Sequence, residues 1–402
     1  MKPKAAIIIA FIVAATAIVL LTTRGKKHED GASGTGKTSG ADAGGAAGGG
    51  KPSAPAVEIT VLYSSEKKAW LEAAAVDFRQ QHPEITVSLQ GKGSIEAASD
   101  ILDGKVKPTV WSPADSMVLN MLVADWDTKY HTPLFATSGD DAPQPLLLTP
   151  LVFVIWQDRA EALLKASGGT ISWKVIHKAV TSNQGWPAIG GQAKWGFVKL
   201  GHTDPTRSNS GLQALYLMSL EFYGKPRIVM EDLLKPDYQE FIKGIERGVT
   251  RFESSTGTFM DDMVRFGPSK YDIAVVYESL AIGQLGNAEG RWGSLKVYYP
   301  STTVWSDHPM GVLQADWVTD AQKVAARQFV AFLRSRPQQE RALQYGYRPA
   351  DTSVPVKTAD AQNPFTRLAQ QGISVEVPTA AEPPDGQVVR QLMMMWQRVV
   401  QR

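Results

Sequence analysis

Short β-rich runs alternate with amphipathic helical runs along most of this chain, and that alternation limits the fold more than any other feature. Val57–Tyr63 reads VEITVLY; Ser64 and Ser65 follow, and Lys68–Gln80 then places Trp70, Leu71, Ala74 and Phe78 at helical spacing. A serine between a strand and a helix is a natural N-cap. His82-Pro83 ends that helix. Ile85–Gln90 is the next expected strand, Ile95–Leu102 the next helix and Thr109–Trp111 a third strand. This order implies parallel βαβ units, in which ligands sit at the carboxyl ends of strands over helix N-termini. Leu146–Gln157, LLLTPLVFVIWQ, is the most apolar stretch of the folded part. It is too short to span a bilayer and contains Pro150, so it reads as a buried strand, long enough to pass from one lobe to another. Farther on, a helix is expected over Arg159–Ala166 and strands over Trp195–Leu200 and Gly311–Trp317. Lys270–Ala281 reads as a strand ending in Tyr277-Glu278 and entering a helix, and Thr319–Arg334 as an amphipathic helix.

The chain has 402 residues, more than a single compact domain usually needs. A net charge of +2 sets up no field that would attract nucleic acid. The absence of cysteine excludes disulfides, thiol catalysis and a lipid-modified N-terminal Cys. Ala5 to Thr22 is an uncharged run of 18 residues, just enough to cross a bilayer as a helix. It is longer than the apolar region of a signal peptide and lacks a small-x-small cleavage site, so an uncleaved anchor is favoured over a signal segment. The Gly/Ala/Ser-rich stretch after it has almost nothing to bury and reads as a flexible tether. Gly31, Gly36, Lys37 and Thr38 match a phosphate-loop pattern, but without a strand before and a helix after them the backbone cannot converge on phosphate, so no nucleotide site is assigned.

Gly201–Leu215, GHTDPTRSNSGLQAL, is the most informative segment. It leaves a strand, turns through polar residues and begins a helix with Leu212, Leu215 and Leu220 on one side. Thr206, Ser208, Asn209 and Ser210 bring hydroxyls and an amide to the helix start, where free N–H groups carry partial positive charge. Such a junction can bind an anion without a full positive charge, although a plain helix cap needs only one of these residues.

The ordered set of strand–Ser64-Ser65–helix, Gly93-Ser94–helix, Asp204-Pro205 with Ser210-Gly211, Val276-Tyr277-Glu278 and Tyr345-Gly346-Tyr347-Arg348-Pro349 resembles the bacterial type II periplasmic-binding proteins. The likeness is nearest to the molybdate- and sulfate-type extracellular solute-binding set and its von Willebrand A-associated relatives. It implies an α/β fold of two doubly wound lobes joined by hinge strands, preceded here by the N-terminal membrane helix. The expected organisation is a transmembrane anchor or signal segment over 1–28 and a tether over 29–56. Residues 57–150 and 297–350 would form one lobe, 151–296 the other, and 351–402 a C-terminal helical extension. The resemblance also implies binding without catalysis, no cofactor, an extracytoplasmic globular part and a small-molecule ligand, with an oxyanion the first guess and an ABC permease as partner. Carried across by position, Ser64, Ser65 and Ser94 would contact the ligand from one lobe, and Ser208, Asn209, Ser210 and Tyr277 from the other. Glu278, beside that tyrosine, is a further candidate ligand contact. If Glu278 or Asp204 faced the cleft, an amine, sugar or cationic ligand would be favoured over an anion.

No two of the six histidines have the close spacing of a helical zinc site; His202 with Asp204 and Asp307 with His308 are loop and cap residues unless they meet in space. No G-x-S-x-G elbow is present. Two alternatives stay open: a hydrolase using Asp or Glu on the same scaffold, and a membrane-displayed protein-interaction or sensor module.

Overall fold

The computed structural model describes residues 56–377 and 379–400. The expected membrane segment at 1–28 and nearly all of the tether lie outside the described residues. Among the described residues no helix is long and apolar enough to cross a membrane.

The chain opens with β1 (Val57–Ser64), α1 (Lys68–Gln81), β2 (Ile85–Lys92), α2 (Ser94–Leu102), β3 (Val110–Ser112) and α3 (Ser116–Tyr130). β1 pairs in parallel with β2 and with β3, as βαβ crossovers require. Ile59, Val61 and Tyr63 of β1 pack with Phe78 of α1 in one core, while Leu62 joins Trp111 in another. Successive residues of a strand face opposite sides, so β1 is covered on both.

The chain then enters β4 (Leu147–Trp156), followed by α4 (Gln157–Ser167), α5 (Trp173–Val180), β5 (Leu200–Gly201), α6 (Asn209–Tyr223), α7 (Pro236–Glu246), α8 (Thr256–Phe266), β6 (Ile273–Tyr277), α9 (Glu278–Ala288) and β7 (Leu295–Tyr298). β8 (Thr302–Thr303), β9 (Trp305–Ser306), β10 (Gly311–Val312), α10 (Asp320–Arg334), α11 (Arg336–Gln344), β11 (Arg348–Pro349), α12 (Pro364–Arg367), β12 (Thr379–Ala380) and α13 (Gly386–Val400) complete it. The first sheet runs β10-β3-β1-β2; the second runs β11-β4-β6-β5, with β7 and β9 also on β4.

β4 ties the halves together. Leu147 lies in the core that holds β1 and α10, whereas Leu151, Phe153 and Ile155 face a second core and Val152, Val154 and Trp156 a third. β4 runs antiparallel to β6, β7, β9 and β11. The second sheet is therefore mixed, where strand–helix alternation alone suggested parallel pairing. Within 297–350, β10, α10 and α11 cover the first half, while β9 and β11 pair with β4. The expected strand at Trp195–Leu200 shrinks to Leu200–Gly201: Gly196 has a φ of 68°, and the Lys199 N–H is taken by the Asp272 carboxylate. Only Gly311 and Val312 of the expected 311–317 strand pair with β3.

α13 lies against elements of both halves. Its apolar face (Val388, Val389, Leu392, Met395, Trp396) is buried with residues of α3, α6 and α7. Arg390 pairs with Asp125 of α3. At the other end Trp396 Nε1 donates to Glu246 Oε1 at 2.6 Å, and the second oxygen of Glu246 is 2.7 Å from His202 Nε2.

Candidate binding site between the halves

β1 ends at Ser64, and the chain turns at once into a 3-10 helix, Ser65–Lys67. Ser64 does not cap that helix; its hydroxyl accepts from Lys67 Nζ. Lys67 is fully buried and also donates to the carbonyls of Ser112 (3.0 Å) and Pro113 (3.1 Å) and to His308 Nδ1 (3.2 Å). Burial pushes the Lys67 ammonium down to about 8, against the opposing pull of Glu66 and Asp307. His308 has a left-handed φ of 42°, and burial together with Lys67 holds its pKa well below the ordinary value. Since Nδ1 accepts from Lys67, the ring proton of neutral His308 sits on Nε2, which has no partner among the described residues.

Asp115 is the N-cap of α3: Oδ1 accepts from Met117 N at 2.7 Å and Val118 N at 3.3 Å. Its other oxygen faces the second half, where it accepts from Asn209 Nδ2 at 3.3 Å and from Gln213 Nε2. These two amides lie one turn apart on α6, on one face of the helix. Asn209 Nδ2 also donates to Tyr277 Oη at 3.0 Å, and Gln213 Nε2 to Ser306 Oγ at 2.9 Å. With both amide nitrogens engaged, Asn209 Oδ1 and Gln213 Oε1 are left buried without partners among the described residues. Burial and the nearby Asp307 raise Asp115 to about 6, although the amide donors pull it down. Tyr277 is raised well above its ordinary value, first by burial and then by Glu66.

Glu66 links this network to open space. Its side chain is 6 % exposed, with Oε1 3.5 Å from His308 Nδ1 and no hydrogen-bond partner among the described residues. It also lines a pocket of about 320 Å³, whose other walls include Trp70 and Tyr347 on one side and Ser279 and Ile282 of α9 on the other. Tyr347 Oη donates to the Glu66 carbonyl at 2.9 Å.

Of the residues singled out by sequence, Ser64, Asn209 and Tyr277 join this network. Ser65 reaches across to Ser255 Oγ at 3.4 Å. Ser94 accepts from Ala114 N at 2.9 Å, bracing the loop that carries Asp115. Ser208 and Ser210 both turn to Thr256, at 3.3 and 2.7 Å, and Ser210 also to Thr203 at 2.8 Å, all within the second half. Glu278 is held by Arg348 Nε (2.8 Å) and Nη2 (2.7 Å) and by Tyr299. Asp204 closes its own turn onto Thr206 at 2.8 Å. His202 and His308 have separate partners, so the four His and Asp residues weighed for a metal do not form one group. Glu66, Lys67, Asp115 and Gln213 escaped the sequence reading, and His308 entered it only beside Asp307 as a possible metal partner. Asp115 before the apolar run of α3 was legible as an N-cap, and Gln213 as sharing a face with Asn209; nothing local marked Glu66 or Lys67.

Comparison with solved structures finds the same fold. A periplasmic thiamin-binding protein superposes with a TM-score of 0.60 at 15 % identity, covering 86 % of this chain and 96 % of that one. The periplasmic binding protein AfuA of Actinobacillus pleuropneumoniae gives 0.55 at 14 % identity, with 86 % and 98 % covered. The sulfate-binding protein SubI of Mycobacterium tuberculosis H37Rv gives 0.51 at 16 %, with 81 % and 93 % covered. These likenesses carry the two-sheet α/β architecture. No curated protein sequence matches the chain. The sequence profile described as bacterial extracellular solute-binding protein matches residues 59–348, most of the folded chain, and the protein accordingly belongs to that family of bacterial extracellular solute-binding proteins.

Proposed function

We propose that this chain is the extracytoplasmic receptor for one small polar solute, held where Asp115, Glu66 and Lys67 of the first half meet Asn209, Gln213 and Tyr277 of the second, and that it hands the solute to an ABC permease. The observation that carries this reading is the direct contact of Asp115 with Asn209 and Gln213 beside unpartnered buried acceptors. Buried polar groups are almost always satisfied, so orphans gathered at one inter-half contact point to a ligand. A solute that touches both halves favours the closed arrangement by its differential affinity. The N-terminal apolar run and tether would keep the receptor at the membrane. Glu278, one carboxylate that a hydrolase on this scaffold could have used, is committed to Arg348. The oxyanion suggested by resemblance would find one buried cation, Lys67, whose protons already serve Ser64, two carbonyls and His308.

The test is a thermal-unfolding panel of oxyanions, sugars, amines and amino acids on the full chain. A true ligand at a hundred times its Kd should add about 2.7 kcal/mol to stability. If no member of the panel moves the midpoint and a protein partner is captured instead, the interaction-module reading replaces this one.

A further inference from the structure

We infer that the solute is a small organic cation, a protonated amine, whose charge is taken up by Glu66 and Asp115. This rests on the binding role proposed above and names its ligand class. The charges at the inter-half contact are unequal. Glu66, Asp115 and Asp307 bring carboxylates, and Lys67 is the single buried ammonium among them. Asp307 is satisfied within the first half by the Ser116 N–H at 2.8 Å and the Ser116 hydroxyl. Lys67 is spent on Ser64, two carbonyls and His308, so it offers an incoming anion nothing new.

The unpartnered atoms have the matching polarity. Asn209 Oδ1, Gln213 Oε1 and Glu66 Oε1 accept only, against the donor His308 Nε2 and the Ser279 hydroxyl, which can do either, and two of the three acceptors belong to amides whose orientation Asp115 fixes by taking both of their NH₂ groups. An ammonium group has donors and no acceptors. Asp115 is therefore a positioning residue as well as a counter-charge: through it, α6 presents oxygens rather than N–H groups. Glu66 stands at the open side, lining the pocket with Trp70, Tyr345 and Tyr347. The pocket, about 320 Å³, lies at the small end of ligand sites, and Glu66 is the member of the network that lines it. The opposing charge there is Arg367, exposed at the rim.

Isothermal titration of the full chain with ethylamine, 1,4-diaminobutane and trimethylamine, against sulfate, molybdate and glucose, tests the assignment. At least one amine should bind, and Glu66→Gln and Asp115→Asn should each weaken it about tenfold or more, the loss expected of a charged hydrogen-bond partner. Asn also caps helices, so Asp115→Asn keeps the start of α3. Amine affinity should fall as pH drops through about 6, where Asp115 takes up a proton. The groups facing Asp115 are Asp307, Asn209, Gln213 and the α3 N–H groups, with Glu66, Lys67, His308 and Tyr277 beyond them. Binding near that pH should release a proton, seen as a buffer-dependent heat. Sulfate, molybdate or glucose binding while every amine is silent would overturn the ligand class and leave the binding role standing. Amine binding unchanged in both variants would overturn the site. Silence from every probe would sink both.

Discussion

At the residue scale, neighbouring side chains at one strand–helix junction have opposite fates. Tyr277 closes β6 and reaches Asn209 in the inter-half network; Glu278, the next residue, turns to Arg348 and Tyr299. The sequence showed both residues but not their directions, because Arg348 is 70 positions away and only the folded sheet brings it to Glu278. Arg348 also donates to the carbonyls of Ser374 and Val375, anchoring the C-terminal extension. Arg348→Met leaves Glu278 buried without its cation, a change that typically costs about 3–5 kcal/mol. Chemical denaturation should show a loss of that order. A loss below about 1 kcal/mol would mean that Glu278 reaches solvent instead.

At the element scale, the start of the chain was legible almost to the residue. β1, α1 and β2 fall where β-rich runs, helical spacing and His82-Pro83 put them. These elements are fixed by local pattern and by burial on predictable faces. The short strands were not legible: β5, β8, β9 and β10 are two residues each and exist because a neighbouring strand offers a ladder. The docking of α13 was equally hidden, since it depends on a buried charged pair on two other elements. Burial works against the charge of His202, but Glu246 outweighs it and raises the His202 pKa above 6.5. A folded pKa raised in this way gives stability that is fully present below 6.5 and lost as pH climbs through the higher folded value. Glu246→Gln removes that attraction. Urea unfolding between pH 6 and 9 should therefore show the wild type losing more stability with rising pH than the variant. Parallel curves would rule out a charged His202 under α13.

At the scale of the whole molecule, the α/β fold was foreseen, whereas the grouping of residues in the candidate site was visible only in part. Ser64, Asn209 and Tyr277 sit at strand–helix junctions, where the fold class places ligands. Lys67 and His308 are 241 positions apart, and no local signal could join them. The chain has no cysteine, so a single pair introduced at exposed Val76 on α1 and Lys165 on α4 can carry two dyes without further engineering. Saturating solute should narrow the transfer-efficiency distribution toward the compact state; an identical distribution with and without a solute that binds would show a rigid body. How the halves can swing is already written into β4. At its start Leu147 and Leu148 are laddered to β11, and at its end Val152 to Ile155 are gripped by β6 with β7 on the other flank. Between them Pro150 brings no N–H to its pairing with Trp305. A rod held along its length but one N–H short at Pro150 should yield to torsion there first, so opening should be a twist about one axis instead of a loose flap, and every solute admitted must enter by the same route.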